Sequence, residues 1–164
     1  MNYKIKNISK ENFKNYGDLI TTSNKNYESI NKDTTDSFFD LANIQIIGDD
    51  KRSRLNIFQA KKRNFPLKIN MLENHPFSSQ VFLPFNSTGF LVLVAPIGDK
   101  PKIDLIEIFK VSGGDGINFN PKVWHFPLIA LEDCNFLTID KRDSKNSLEI
   151  FKFQNKDKIF LNYE

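Results

Sequence analysis

From residue 44 onward the chain is a succession of short apolar or alternating runs broken by turn residues, with no long helical pattern between them. The runs cover residues 44–47, 55–60, 67–72, 80–85, 90–95, 103–111, 136–139, 148–153 and 159–163. Runs of this length and spacing predict strands. A chain built of many strands and almost no helix has to bury its apolar faces sheet against sheet. A mainly β fold, an antiparallel barrel or sandwich, is therefore expected. Ahead of it, residues 1–8 alternate weakly, as an edge strand does. Ser9 offers a helix N-cap with Glu11 in the first turn, and Phe13, Tyr16 and Ile20 follow at helical spacing, so one short helix is predicted, weakened by Gly17. Residues 21–36 are polar and aperiodic and read as a long loop.

The length, 164 residues, fits one domain spanning residues 1–164 with a real core. Net charge is only +3. The densest basic patches, Lys51-Arg52-Ser53-Arg54 and Lys61-Lys62-Arg63, flank one strand and interleave no aromatic platform. They read as solvated loop ends, and no nucleic-acid partner is expected. A single cysteine, Cys134, excludes an internal disulfide and suits a reducing compartment, where it packs as a small apolar side chain. Neither a signal-peptide pattern nor a run of membrane-spanning length is present, which predicts a cytoplasmic protein with no membrane partner. Gly113-Gly114-Asp115-Gly116 lacks the Lys-Ser/Thr ending of a phosphate loop and reads as a tight turn.

Chemistry concentrates in two stretches. Residues 116–131 hold the only Trp and one of the two histidines, with Trp124 and His125 delivered by a polar turn to an apolar run, 126–131, that reads as a buried strand. The other histidine, His75, stands beside Pro76 in a short turn feeding the strand at 80–85, with Glu73 and Gln80 close by. Along that strand Gln80, Phe82 and Pro84 face one side, and Val81, Leu83 and Phe85 the other. Two strand entries that each carry a His can converge polar groups inside a barrel. His75, His125 and Gln80, with Glu73 as a further ligand or base, could then hold a metal ion. Equally, either imidazole could be a core side chain with its hydrogen bonds satisfied.

With these stretches in view, the chain resembles the ureidoglycolate lyase family, also called ureidoglycolate hydrolase, whose fold is a cupin-type β-barrel. The resemblance is carried by Tyr16-Gly17-Asp18-Leu19-Ile20, Asp40-Leu41-Ala42, Leu72-Glu73-Asn74-His75-Pro76 and Ser79-Gln80-Val81-Phe82-Leu83-Pro84. It continues through residues 90–96, Gly116-Ile117-Asn118-Phe119, Val123-Trp124-His125, Pro127-Leu128 and Phe136-Leu137-Thr138-Ile139-Asp140. It implies a carbon–nitrogen lyase that splits ureidoglycolate into glyoxylate and urea in allantoin and purine breakdown, with nickel or another divalent metal as cofactor. In that reading His125 is the leading proton carrier or ligand, His75 the second, and Glu73 a ligand or base. Gln80 would bond the ureido group, Asn118 and Asn120 the carboxylate, and Trp124 and Phe82 would wall the pocket. Cupin barrels often pair, so a homodimer is expected.

Several positions depart from the family pattern. Asn120 and Phe126 stand where histidines are common, Ser37 and Gln59 where arginines are, Phe39 where a His is, and Asn31-Lys32-Asp33 replaces an Asn-X-Gly. With arginine gone from those places, Lys102 or Lys122 would have to meet the substrate carboxylate. Two other readings stay open: an enzyme of this fold for another small hydroxy acid or ureido compound, and a cupin that binds a small ligand without turning it over.

Overall fold

The computed structural model describes residues 3–142, 147–155 and 158–163. In chain order the elements are β1 (Ile5–Asn7), α1 (Lys10–Phe13), β2 (Gly17–Ile20), β3 (Glu28–Ile30), β4 (Thr35–Ser37), β5 (Ser53–Ala60), β6 (Leu67–Ile69) and β7 (Met71–Asn74). They continue with β8 (Gln80–Pro84), β9 (Phe90–Ala95), a 3-10 turn (Ile103–Leu105), β10 (Glu107–Val111), β11 (Gly116–Phe119), β12 (Trp124–His125), β13 (Ile129–Ala130), β14 (Cys134–Lys141), β15 (Glu149–Lys152) and β16 (Ile159–Leu161).

Two sheets dominate. The first runs β1-β10-β9-β12-β7-β15, with β13 also paired to β9, and the second runs β2-β11-β8-β14-β5. Phe82, Ile117, Phe119 and Phe136 of the second sheet meet Val92, Val94 and Phe109 of the first in one core between them, joined by Phe13 and Tyr16. The opposite face of the first sheet carries Leu91, Leu93, Ile108 and Trp124, and these are covered by Ile69, Ile159 and Leu161 of the β6–β16 ladder. That double burial explains why β9, Phe-Leu-Val-Leu-Val-Ala, has no alternation: both of its faces are interior. The second sheet is dressed differently. Residues 43–47 lie against its outer face near β2 and β8, where Asn43 N–H donates to Asp18 and Ser79 N–H to the Gln45 carbonyl. Over β5 and β14 that face is open, and Leu55 and Ile57 are exposed.

Several expectations change here. Ser9 caps α1 and Asn12 completes the capping box, but the helix ends after Phe13 and Ile20 lies in β2. Helical spacing is overruled because the chain must lie against β11 from Gly17 onward, where the backbones come so close that a Cβ on Gly17 would meet the Asn118 carbonyl oxygen at 1.9 Å. Residues 21–36 are not a plain loop: they contain most of the β3–β4 hairpin, hidden from pattern reading because its residues are polar and mostly exposed. Residues 44–47 supply only a single bridge, Ile46 to Ser78. Residues 67–72 divide between β6 and β7, and 103–105 form the 3-10 turn. Nor is 126–131 one strand; β12 ends at His125 and β13 begins at Ile129, with Pro127, which has no N–H for a ladder, between them. Residues 116–119, which the pattern of apolar runs leaves out, are β11. Of the anticipated edge strand at 1–8, residues 5–7 form β1, and residues 1 and 2 lie outside the described residues. Gly113 and Gly114, at φ 70° and 84°, make the tight turn.

Candidate active site

Strand register builds the site in two facing rows. Across the inner face of the first sheet, His125 of β12 stands opposite Val94 of β9 on one side and Glu73 of β7 on the other, and Glu73 stands opposite Ile150 of β15. Across the inner face of the second sheet, Arg54 of β5 pairs with Asp140 of β14, and Gln80 of β8 with Phe119 of β11. The β14–β8 ladder, one step past Ile139↔Val81, sets Asp140 opposite Gln80 and completes the row. The rows meet where the Phe119 ring stacks on His125, centroids 4.3 Å apart at 16°. His75, one residue past β7, stacks on the other side of the cluster, 5.4 Å from the His125 ring. One ligand atom from each of Glu73, His75 and His125 lies within 4.8 Å of the others.

Hydrogen bonding fixes how both imidazoles present themselves. His125 Nδ1 lies 2.9 Å from the Val123 carbonyl oxygen and His75 Nδ1 3.2 Å from that of Ser147. A carbonyl only accepts, so Nδ1 carries the proton in each ring and Nε2 keeps its lone pair. Both Nε2 atoms are buried without a hydrogen-bond partner, and Gln80 Oε1 is a third such atom. Glu73 Oε1 stands 3.7 Å from His125 Nε2, too far for a hydrogen bond.

Burial then sets the charges. It pushes His125 down to about 3, with the neighbouring His75 adding to the effect. His75 is also lowered by burial, against the opposing pull of the Ser147 carbonyl, Asp140 and Gln80, while Arg54 lowers it further. Burial raises Glu73. The Glu73–His125 contact is therefore no ion pair at neutral pH. Two imidazoles and a carboxylate that converge within 4.8 Å, with each imidazole donating its other N–H to a backbone carbonyl and the unpartnered Gln80 Oε1 also buried, could hold a divalent metal ion.

Of the residues singled out from sequence, Glu73, His75, Gln80, His125 and Phe82 come together. Phe82 stands edge-on to Phe119, ring centroids 6.1 Å apart. It also lines a cavity of about 20 Å³ beside Glu73 and His125, room for one water-sized group. Three others lie elsewhere. Trp124 faces the outer core, its Nε1–H donating to the Gly98 carbonyl at 2.8 Å. Asn118 projects from the outer face of β11 and donates to Asp18 Oδ2 and the Asn43 carbonyl, both at 3.0 Å. Asn120 sits in the turn after β11, where its backbone bonds Tyr16 and Val123. Successive residues of a strand point to opposite faces, so Trp124 cannot share the pocket with His125, nor Asn118 with Phe119.

The same alternation locates the departures. Gln59 points off the outer face of β5, so its change removes no group from the cluster, whereas Phe126 packs with the outer core of the first sheet and also lines the cavity beside Glu73 and His125. Asn31, Lys32 and Asp33 form the β3–β4 turn with φ of 54°, 59° and 63°. Phe39 is exposed. Lys102 precedes the 3-10 turn beside the outer core, and Lys122 is exposed in the β11–β12 turn. Sequence reading missed two residues of the inner rows. Arg54 is hidden in what looks like a solvated basic patch, and Asp140 lies just beyond the apolar run 136–139, whose residues draw the attention. Arg54 Nε donates to Asp140 Oδ1 at 2.6 Å and Nη2 to Oδ2 at 3.2 Å.

Two sheets, antiparallel except for the parallel β1–β10 pair, packed face to face around a pair of neutral histidines and a carboxylate define a cupin-like β-sandwich with its site between the sheets. The sequence narrows this further. The chain belongs to the ureidoglycolate lyase family, whose profile matches residues 1–160. It is 36% identical over 159 residues to the ureidoglycolate lyase of Pseudomonas aeruginosa (strain UCBPP-PA14), covering 96% of this chain and 94% of that one. To the ureidoglycolate lyase of Pseudomonas putida (strain GB-1) it is 34% identical over 159 residues, covering 96% and 95%. Among solved structures, a sugar 3,4-ketoisomerase from Thermoanaerobacterium thermosaccharolyticum aligns over 80% of this chain and 85% of its own with a TM-score of 0.39 and 17% identity.

Proposed function

We propose that this protein splits ureidoglycolate into glyoxylate and urea, as a carbon–nitrogen lyase of allantoin breakdown. The observation that carries the reading is the convergence of Glu73, His75 and His125 on one point between the sheets, in a chain whose whole length follows the family. The substrate is a carbinolamide: its hydroxyl must lose a proton as the carbonyl of glyoxylate forms, and the departing urea nitrogen must gain one. His75 and His125, with Gln80 Oε1, would hold a divalent cation, because an imidazole as hard to protonate as His125 is a weak base whose lone pair stays available to a metal. Glu73, whose affinity for a proton is raised by burial, moves the proton from hydroxyl to nitrogen. When bound, a divalent metal, nickel in this proposal, would supply Lewis acidity toward the substrate hydroxyl. The cavity beside Phe82 is about 20 Å³, room for a water-sized group and too small for the whole substrate.

The test is urea release from racemic ureidoglycolate by protein stripped of metal and then resupplied with nickel, manganese or zinc. Stripped protein is expected to be inactive and nickel to restore rapid, saturable release. No release with any of the three would leave another small hydroxy acid or ureido compound, or ligand binding alone.

The proposal extends to a homodimer formed through the open face over β5 and β14. Leu55 and Ile57 would be covered there by a second copy, as the chain's own β6–β16 ladder covers the first sheet. Light scattering should report twice the chain mass, and the double variant Leu55→Asp, Ile57→Asp should report the chain mass; a wild-type monomer sinks the idea. A single buried, unpaired cysteine, Cys134, supports a cytoplasmic location, which cell fractionation checks.

A further inference from the structure

Exposure along the two inner rows rises in one direction. On the first sheet it goes from His125, 2% exposed, through Glu73 to Ile150 at 51%. On the second, the Asp140 side chain is 6% exposed and that of Arg54 46%. Both rows end at sheet edges, β15 and β5, so the site opens there and Arg54 stands at the opening. Its guanidinium is not a loose surface charge. Its Nε and Nη2 fork onto the buried Asp140 carboxylate, which fixes the plane of the group, and both residues act electrostatically on the His75 ring.

We propose that Arg54, held in place by Asp140, binds the carboxylate of the substrate at the mouth of the site. This rests on the ureidoglycolate reading. In that molecule the carboxylate is attached directly to the carbon whose C–N bond breaks, so its partner must lie next to the cluster. Arg54 is the guanidinium in the inner row, whereas Lys102 lies by the outer core and Lys122 is exposed in a turn. A planar fork matches a carboxylate as an ammonium does not. Arg54 is thus the substrate-binding group and Asp140 a positioning residue.

The experiment compares wild type, Arg54→Ala, Arg54→Lys and Asp140→Asn, each checked for folding by thermal melting. Two substrates are used: ureidoglycolate, and N-(hydroxymethyl)urea, the same carbinolamide without the carboxylate. Loss of a charge-assisted pair predicts a KM for ureidoglycolate raised ~10- to 100-fold in Arg54→Ala with kcat changed much less. Arg54→Lys should recover part of it, Asp140→Asn should move KM in the same direction as Arg54→Ala, and N-(hydroxymethyl)urea should be handled alike by wild type and Arg54→Ala. Glyoxylate binding, followed by calorimetry, should weaken by the same factor in Arg54→Ala. An unchanged KM and unchanged glyoxylate affinity in that variant overturn the assignment. If wild type releases no urea but binds glyoxylate in an Arg54-dependent way, the lyase reading fails and the arginine assignment stands. Wild type with neither activity nor glyoxylate affinity ends both.

Discussion

Urea release should fall by about 1,000-fold or more when His125 is replaced by alanine, because on the proposed reading the variant loses both a ligand and the ring that fixes its neighbours. His125 Nε2 is one of the two imidazole lone pairs aimed into the cluster, and the ring is held between Phe119 and His75. Isothermal titration with nickel should show the same loss as the rate assay, and full activity in His125→Ala would remove the role assigned to this residue. A second readout separates the histidine from the rest of the fold. In the folded metal-free protein His125 is held near 3, against an ordinary value of 6.5. The proton is therefore bound by the unfolded chain first. The stability contributed by His125 is complete above pH 6.5 and is lost as pH falls from there toward 3, by at most about 1.4 kcal/mol per pH unit. Denaturant midpoints of the metal-free protein should fall between pH 7 and pH 5, and fall less in His125→Ala. Equal pH slopes in the two proteins would refute this account of the buried imidazole.

Gly17→Ala is expected to be the most damaging single methyl in the chain. The added Cβ would sit 1.9 Å from the Asn118 carbonyl oxygen, 2.9 Å from its carbon and 3.1 Å from Phe119 Cα, on a backbone with φ of 153°. Every one of these atoms is backbone in β11, so no side chain can swing aside. β11 is also held from its other edge by β8, and the displaced residue next along is Phe119, the ring that covers His125. At least about 3 kcal/mol of stability should be lost, the upper end of what overpacking costs. That corresponds to a melting temperature lower by ~6–12 °C for a chain of this size. Nickel affinity should fall with it, because Phe119 can no longer lie flat on the imidazole. A melting temperature within 2 °C of wild type would mean that β2 and β11 can part without cost.

How much of this is legible in the residues depends on whether local pattern and tertiary setting agree. β8 and β14 are plain in the sequence because one face of each is interior and the pattern alternates or runs apolar, whereas β5 is legible only through Leu55, Ile57 and Phe58, all of them exposed. The β3–β4 hairpin is not, since both of its strands are polar and mostly exposed and no periodicity records them. The helix is overestimated because Phe13, Tyr16 and Ile20 do share a helical spacing, which the close pairing at Gly17 overrules. Within the site, His75, His125, Glu73 and Gln80 are legible as rare or polar residues at strand entries. Trp124, Asn118 and Asn120 are misplaced by the same reading, which takes proximity in sequence for proximity in space and overlooks the alternation of strand faces. Arg54 and Asp140 escape it for the opposite reason: 86 residues apart, they become partners only through the β5–β14 register.

The position of Trp124 gives the molecule an optical property. It is the chain's only tryptophan, it is almost fully buried, and it lies one peptide bond from His125 with its indole on the far side of the sheet. The emission of the native state therefore comes from a dry, hydrogen-bonded indole shielded from aqueous quenchers, and unfolding exposes it. Because the strand itself stands between indole and imidazoles, a paramagnetic ion such as nickel seated at the cluster would be close enough to quench by energy transfer without touching the ring. One fluorophore can thus report the integrity of the sandwich by its wavelength and the occupancy of the cluster by its intensity.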